Sequence, residues 1–471
     1  VIEQDSHGVA NPKREVSKIY SPGTDIDYSF EEQEQNGISL LSIFVDEMKG
    51  VHSTNKLLCA FSGIHVSTAY NCVGEYCSQE RDFMYPIHQI SEYIHCEQPK
   101  EIILSFSSSV QKDTVENIKG ILDTSVVRGI FHMHEPVPSD YIQVKYQNTL
   151  LSSIFEPKVS LPVTEYLGIH RYPLICTSYV QLLKFAYEHD NNLVKKLDKP
   201  ELLQNEKVCS LHDTAIYQLN LVSTPYMSER NINSLWSIVN RCKTGPGKRL
   251  LRNRLIHPIY DTQELQTRYD SIDTVLYRSK QGSKKKYEVY QNDLQELVDL
   301  ERYHRKLAMG VLQPMEMFTL YSSYDYVKKI IHNLSQESNE LFLPSKQTIQ
   351  LFLEYVQYME ETFHMDELVR CKFDSVPKSF FHSGIFPEID TIQVQVDCIQ
   401  SSLQRGRTLL SNVVDGSKPV VKLQYNDREG YYFTVTKKRY KILENYCSAN
   451  PMIKLSEQYT LDMTTITKTA T

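Results

Sequence analysis

The sequence predicts a multidomain α/β plus mainly α chain, and three observations carry that expectation. Length is the first: 471 residues, at roughly 100 to 200 per domain, imply about three domains and exclude one small one. Second, the apolar periodicity changes twice, from short strand-like runs before residue 131 to helical stripes beyond residue 160, then back to alternation after residue 420. Third, 41% apolar and 23% charged residues, with only 17 Gly and 19 Pro, form a folded composition and exclude disorder throughout.

The α/β part reads from about Gly37 to Phe131. Leu57 to Phe61 and Ile64-x-Val66 are strand-like, Phe83 to Ile94 is an amphipathic helix ahead of Pro99, and Ile102 to Phe106 is a further strand, giving a βαβ pattern. Helices follow. Ser178 to His189 and Asn233 to Cys242 carry wide apolar faces, Gly245-Pro246-Gly247 breaks the run, and a new helix starts at Lys248 and ends before Pro258. Asp261 with Glu264 has capping-box spacing for the next helix. Further helices are expected around Leu294–Leu307, Met315–Asn333 and Ser345–Phe363, and Ile392, Val396, Ile399 and Leu403 form a narrow stripe suited to pairing with another long helix. Alternation then returns in Val421, Leu423 and Tyr425 and in Tyr431, Phe433 and Val435, around turn chemistry at Asn426 to Gly430, which predicts a β-hairpin.

Charge separates function classes. Fifty-one basic against 58 acidic residues give −7 and a pI near 6.1, so no global basic field announces nucleic acid and any such binding must be local. The local exception is Lys418, Lys422, Arg428, Lys437, Lys438, Arg439 and Lys441 against Asp427 and Glu429, which is either a solvated face or a phosphate-contacting surface. Tyr431 and Tyr432 fall on alternate faces, so one of them is expected in the core. Ten Cys without a C-x-x-C pair fit reduced thiols in an intracellular compartment better than disulfides or a zinc ribbon. No run approaches the ~18 to 20 apolar residues of a membrane span, Val1 to His7 lack a signal-peptide pattern, and a soluble protein with no membrane partner is expected. The absence of an initiator Met and the polar run Met463 to Thr471 suggest a piece of something longer.

Catalytic and metal patterns fail on inspection. A phosphate loop ending at Gly247-Lys248 would need Gly at 242 and Ser or Thr at 249, where Cys242 and Arg249 stand. His132 with His134, and His95 beside Cys96, lack further ligands for zinc. No G-x-S-x-G elbow and no paired acidic motif supports a catalytic assignment, so no catalytic, cofactor or metal residue is expected in the chain.

Five ordered stretches resemble the MutS family of DNA mismatch-recognition ATPases. They are Lys13–Asp25 (KREVSKIYSPGTD), Asn231–Pro258 (NINSLWSIVNRCKTGPGKRLLRNRLIHP), Asp299-Leu300-Glu301-Arg302, Gly384–Asp390, and Val421–Thr436 (VKLQYNDREGYYFTVT). Within the family, Glu165–Pro200 is similar to the branch found in giant viruses and octocoral mitochondria. The resemblance implies the end of a mismatch-binding domain and linker at 1–36, a ribonuclease-H-like connector at 37–160, a helical lever core at 161–365 and an incomplete clamp with a β-hairpin on long helices at 366–471. Phe30 and Glu32 form an F-x-E string, but they follow Pro22-Gly23-Thr24 where the family's mismatch-reading pair precedes it, so they are a decoy.

Function follows from the same resemblance. The expected partner is double-stranded DNA, contacted through its backbone by Lys422, Arg428, Lys437, Lys438 and Arg439. A homodimer or heterodimer through an ATPase domain outside this chain, and downstream repair factors, are implied for the whole protein. ATP and Mg are implied there too, with no cofactor and no ATPase activity within these 471 residues. Two alternatives stay open: a helical protein-interaction scaffold whose basic hairpin is merely solvated, and a MutS relative acting on recombination junctions.

Overall fold

The computed structural model describes residues 2–4, 14–16, 18–25, 39–49, 55–125, 130–134, 136–155, 161–203, 208–209, 211, 213–222, 234–278, 286–336, 342–371, 378–416, 420–426, 430–449, 452–454 and 460–462. The chain forms two compact units, Val1–Ser345 and Lys346–Thr471. Among the described residues no helix is long and apolar enough to cross a membrane.

The first unit is built on a mixed sheet. After the small pair β1 (Ile2–Gln4) and β2 (Arg14–Val16) come β3 (Leu40–Lys49), β4 (Asn55–Ile64), β5 (Asn71–Cys77), β6 (Glu101–Phe106), β7 (Ile130–His134) and β8 (Glu201–Leu202). Their order is β7-β6-β3-β4-β5-β8. The β3/β4 and β4/β5 pairs are antiparallel, whereas β3/β6, β6/β7 and β5/β8 are parallel. Period-two alternation divides the core. On β3, Leu41, Ile43 and Val45 face helices α1 (Tyr85–Glu97) and α2 (Lys112–Ser125), while Leu40 belongs to the opposite layer. That opposite layer contains α3 (Val144–Ile154) and α4 (Pro173–His189).

Helix α4 packs into the sheet unit: Ile175, Tyr179, Val180, Leu182, Leu183 and Ala186 are sealed against the sheet. Small polar side chains permit the approach. Ser178 donates to the Ser42 carbonyl at 3.0 Å, Ser105 to Gln181 Oε1 at 2.6 Å, and the Tyr179 hydroxyl to Asn71 Oδ1 at 2.9 Å. A helix buried on most of its circumference loses its amphipathic signature, and β8 extends the sheet through residue 202.

The Pro-Gly-Thr landmark is also explained by packing. The Gly23 amide donates to Oε1 of the fully buried Glu101 at 3.0 Å, and a Cβ there would collide with the Leu40 side chain and the Ser39 carbonyl. Lys18 pairs with Asp190 at 3.0 Å, and the Ile19 amide donates to the His189 carbonyl at 2.9 Å. The segment 18–25 is therefore fastened to both β6 and the end of α4.

Helices fill the rest of this unit: α5 (Leu235–Val239), α6 (Gly245–Ile256), α7 (Thr262–Arg278), α8 (Lys286–Gln295), α9 (Leu300–Met309) and α10 (Pro314–Gln336). The Gly-Pro-Gly stretch does not separate two helices. It is the first turn of α6, because Pro is tolerated where its missing N–H would be unpaired, and the Thr244 hydroxyl accepts from the Gly247 amide at 3.2 Å. Asp261 caps α7 as expected, accepting from the Gln263 amide at 3.0 Å and the Glu264 amide at 3.3 Å, but Glu264 turns to Arg268 instead of closing the box.

The second unit contains α11 (Lys346–Thr362), α12 (Pro387–Val414), the hairpin β9 (Lys422–Asn426) and β10 (Gly430–Thr434), α13 (Lys437–Ala449), and a small strand pair, β11 (Met452–Lys454) with β12 (Thr460–Asp462). At ~1.5 Å per residue, α12 is about 42 Å long. Its stripe does not pair as expected: Ile392, Val396 and Ile399 remain exposed. Its C-terminal end is covered, where Leu410 packs with Val421 and Leu443, flanked by Phe433 and Val435.

Candidate nucleic-acid interface

The hairpin register places each predicted cation. Lys422 stands opposite Thr434 at the end of the ribbon remote from the turn, and its side chain is exposed. Two residues past β10 the chain enters α13, where the amides of Arg439 and Tyr440 both donate to the Thr436 carbonyl at 3.0 Å. Lys437 and Lys438 are exposed in the first turn of that helix and Arg439 is half-buried. Arg428 lies outside the described residues. The structure thus places Lys422, Lys437 and Lys438 at the root of the hairpin.

Electrostatics at the root are unbalanced. No acidic residue occupies the first turn of α13, although carboxylates are the favoured residues there and cations oppose the helix dipole. Among the described residues none of Lys422, Lys437 and Lys438 forms an ion pair with an acid. Cations and exposed N–H groups at the positive end of a helix both favour an anion there.

The two motifs of the first unit meet in space for a different purpose. Arg249 grips Asp299 with both terminal nitrogens, at 2.6 and 2.7 Å, and also bonds Glu301. Its partners hold its charge firmly in place, and in return it keeps the Asp299 carboxyl below the usual carboxylate range against the opposing effect of burial. Asp299 caps α9 by accepting from the Arg302 amide at 3.4 Å, and a Cβ on Gly245 would strike its carboxylate. One turn further along α9, Arg305 is 2% exposed and donates to the carbonyls of Val66, Lys195 and Leu193 at 3.3, 2.7 and 2.6 Å. Burial pushes its pKa down to about 10, which still leaves it charged at neutral pH. Neither Arg305 nor Glu101 carried any signal in the sequence, because their partners lie far along the chain.

A cavity of about 910 Å³ beside β5 and α6 is lined by Tyr70, Tyr93, Glu97, Arg252 and His257, among others. His257 lies 3.4 Å from Glu97, and Arg252 donates to the Cys96 carbonyl at 3.2 Å. His65, at its edge, is pushed down to about 4 by burial and then by Arg302 and Arg249. His132 lies 3.4 Å from Glu101, and among the described residues no three metal-ligating side chains form a cluster that could hold an ion.

Helices α6 and α9, the hairpin and the start of α13 all lie within residues 214–445, which match the family model for MutS domain III. The chain belongs to the MutS family. It is 26% identical over 476 aligned positions to a mutS homolog of Acanthamoeba polyphaga mimivirus, covering 94% of this chain and 41% of that protein. It is 27% identical over 327 to the mitochondrial DNA mismatch repair protein mutS homolog of Sarcophyton glaucum, covering 67% and 30%. The DNA mismatch repair protein MutS of Caldanaerobacter subterraneus is 21% identical over 445, covering 93% and 45%. Two of these sources are those that Glu165–Pro200 had suggested. The chain spans less than half the length of these relatives.

Proposed function

We propose that this chain is the connector, lever and DNA-backbone-holding clamp of a MutS-type mismatch repair protein. Support for the connector is the strand order β5-β4-β3-β6-β7, three antiparallel strands followed by two parallel ones, which is that of a ribonuclease-H-like sheet. Packing favours a connector reaching to about residue 202, with the lever drawn from the helices that follow and the clamp from the end of α12, the hairpin and α13. Whole-protein properties belong to the same proposal: ATP and Mg bound by a further domain, dimerisation through it, and downstream repair factors as partners. The chain alone is expected to hydrolyse no ATP, since it has no phosphate loop.

The observation that carries this reading is the root of the hairpin, where lysines with no acidic partner among the described residues sit at the positive end of a 13-residue helix. Contacts of that kind hold phosphates and read no bases. They also favour the duplex over an interaction scaffold, whose affinity for DNA would not depend on salt. The test is a salt titration of the 471-residue chain with perfectly paired and mismatched duplexes, for wild type and for Lys422→Glu, Lys437→Glu, Lys438→Glu and Arg439→Glu combined. Affinity is expected to fall by similar factors for both duplexes, and the slope of log K against log salt to flatten by about 0.9 per phosphate contact removed. An unchanged slope would leave the cations as a solvated face.

A further inference from the structure

The hairpin ends in a feature that the cations do not explain. Tyr425 and Tyr431 are cross-strand partners with ring centroids 5.1 Å apart, yet they are 61% and 54% exposed. They share a face of the ribbon with Val421, Leu423, Phe433 and Val435. That face is buried at Val421, half-buried at Leu423 and Phe433, and open at the tyrosines. The ribbon therefore carries its apolar face beyond the helices that cover its root, and finishes it with two rings that each bear a hydroxyl.

The surroundings select the occupant. From 420 to 449 the sequence sets Lys422, Arg428, Lys437, Lys438, Arg439 and Lys441 against Asp427, Glu429 and Glu444, and Lys422, Lys437, Lys438 and Lys441 are exposed. Lys422 leaves from the opposite face of the same ribbon, so the lysine and the tyrosines do not share one flat surface. Sugars offer apolar edges to flat rings, and phosphate oxygens accept hydrogen bonds from Tyr hydroxyls.

We propose that Tyr425 and Tyr431 form an uncharged grip on the sugar–phosphate backbone of duplex DNA, the rings against sugars and the hydroxyls donating to phosphate oxygens. This rests on the DNA-holding role of the hairpin proposed above. It adds a contact that supplies affinity without counterion release.

The experiment is the same salt titration of the 471-residue chain with Tyr425→Ala/Tyr431→Ala and with Tyr425→Phe/Tyr431→Phe. The Ala pair is expected to bind about tenfold or more weakly with the salt slope of the wild type, since ring contacts with sugars and two neutral hydrogen bonds are lost and no cation is removed. The Phe pair keeps the rings and the ribbon and is expected to lose about fivefold, on the scale of two lost neutral hydrogen bonds at the weak end of their range. If the Ala pair fails to fold, the Phe pair decides: binding equal to wild type overturns the proposal. A flattened slope in the Ala pair overturns it as well, as does sedimentation showing that the Ala pair has only dissolved a self-associated chain. Charge-reversed lysines that weaken binding beside silent tyrosine variants would remove this inference and leave the clamp role standing. A wild-type chain whose binding ignores salt would remove the clamp role itself.

Discussion

Arg305 and Lys437 are both cations on helices, and the molecule uses them in opposite ways. Arg305 is sealed beneath the sheet unit, and each of its three side-chain nitrogens donates to a carbonyl of its own chain. Lys437 stands in water at the start of α13 with no acid in the first turn. The difference teaches that position in the fold, not residue type, decides whether a charge serves the fold or remains available to a partner. An arginine fork can be satisfied internally by backbone oxygens, whereas a lysine on an exposed first turn has only solvent or a ligand.

The contrast breaks most visibly at Arg305. Arg305→Met leaves three carbonyls without their buried donor, and a loss of about 3 to 5 kcal/mol is expected in urea unfolding of the first unit. Arg305→Lys should recover part of that loss, and a Met variant as stable as wild type would show that the fork holds nothing. His65 comes next. Its folded pKa is pushed down to about 4 while the unfolded chain titrates near 6.5, so the unfolded state takes up protons first as pH falls. The stability that His65 contributes is thus complete above about pH 6.5 and is lost toward pH 4, by at most about 3 kcal/mol. His65→Gln should flatten that portion of the pH–stability curve, and an unchanged curve would mean that other groups govern it. Smallest, and opposite in sign, is Lys437→Ala/Lys438→Ala. Removing cations from the positive end of α13 should stabilise the second unit by about 0.5 kcal/mol at low salt, with the gain fading as salt rises. Stabilisation together with weaker duplex binding would sharpen the contrast, whereas destabilisation would place the lysines among the groups that hold the fold.

Legibility in the sequence followed the range of the interactions. Helix α7 was visible because its cap, Asp261, and the amides it serves lie within three residues. The hairpin was visible because alternation and turn residues are local, and its register of Tyr431 with Tyr425 follows from them. Helix α4 was visible as a helix but not as part of the sheet unit, since being apolar nearly all round hides which neighbour it covers. The hairpin cations were found by counting charge, yet their location at the root depends on α13 starting at Lys437, which no apolar stripe announced. Neither tyrosine of the Tyr431-Tyr432 pair is buried: Tyr431 is open and Tyr432 half-buried, because the helices cover only the root of the ribbon.

Asp299 unites obligations that are far apart in the chain. One carboxylate opens α9, anchors the arginine of α6 and fills the space that Gly245 leaves, across an interval of about 50 residues. The entropy of closing that interval is already spent once the two helices meet, so each makes the other's formation less costly. Helices α6 and α9 should therefore open together as one cooperative element, with amides that exchange with solvent water at matched rates despite their separation in sequence. A fluctuation that frees the Arg249 fork releases both ends of the junction at once.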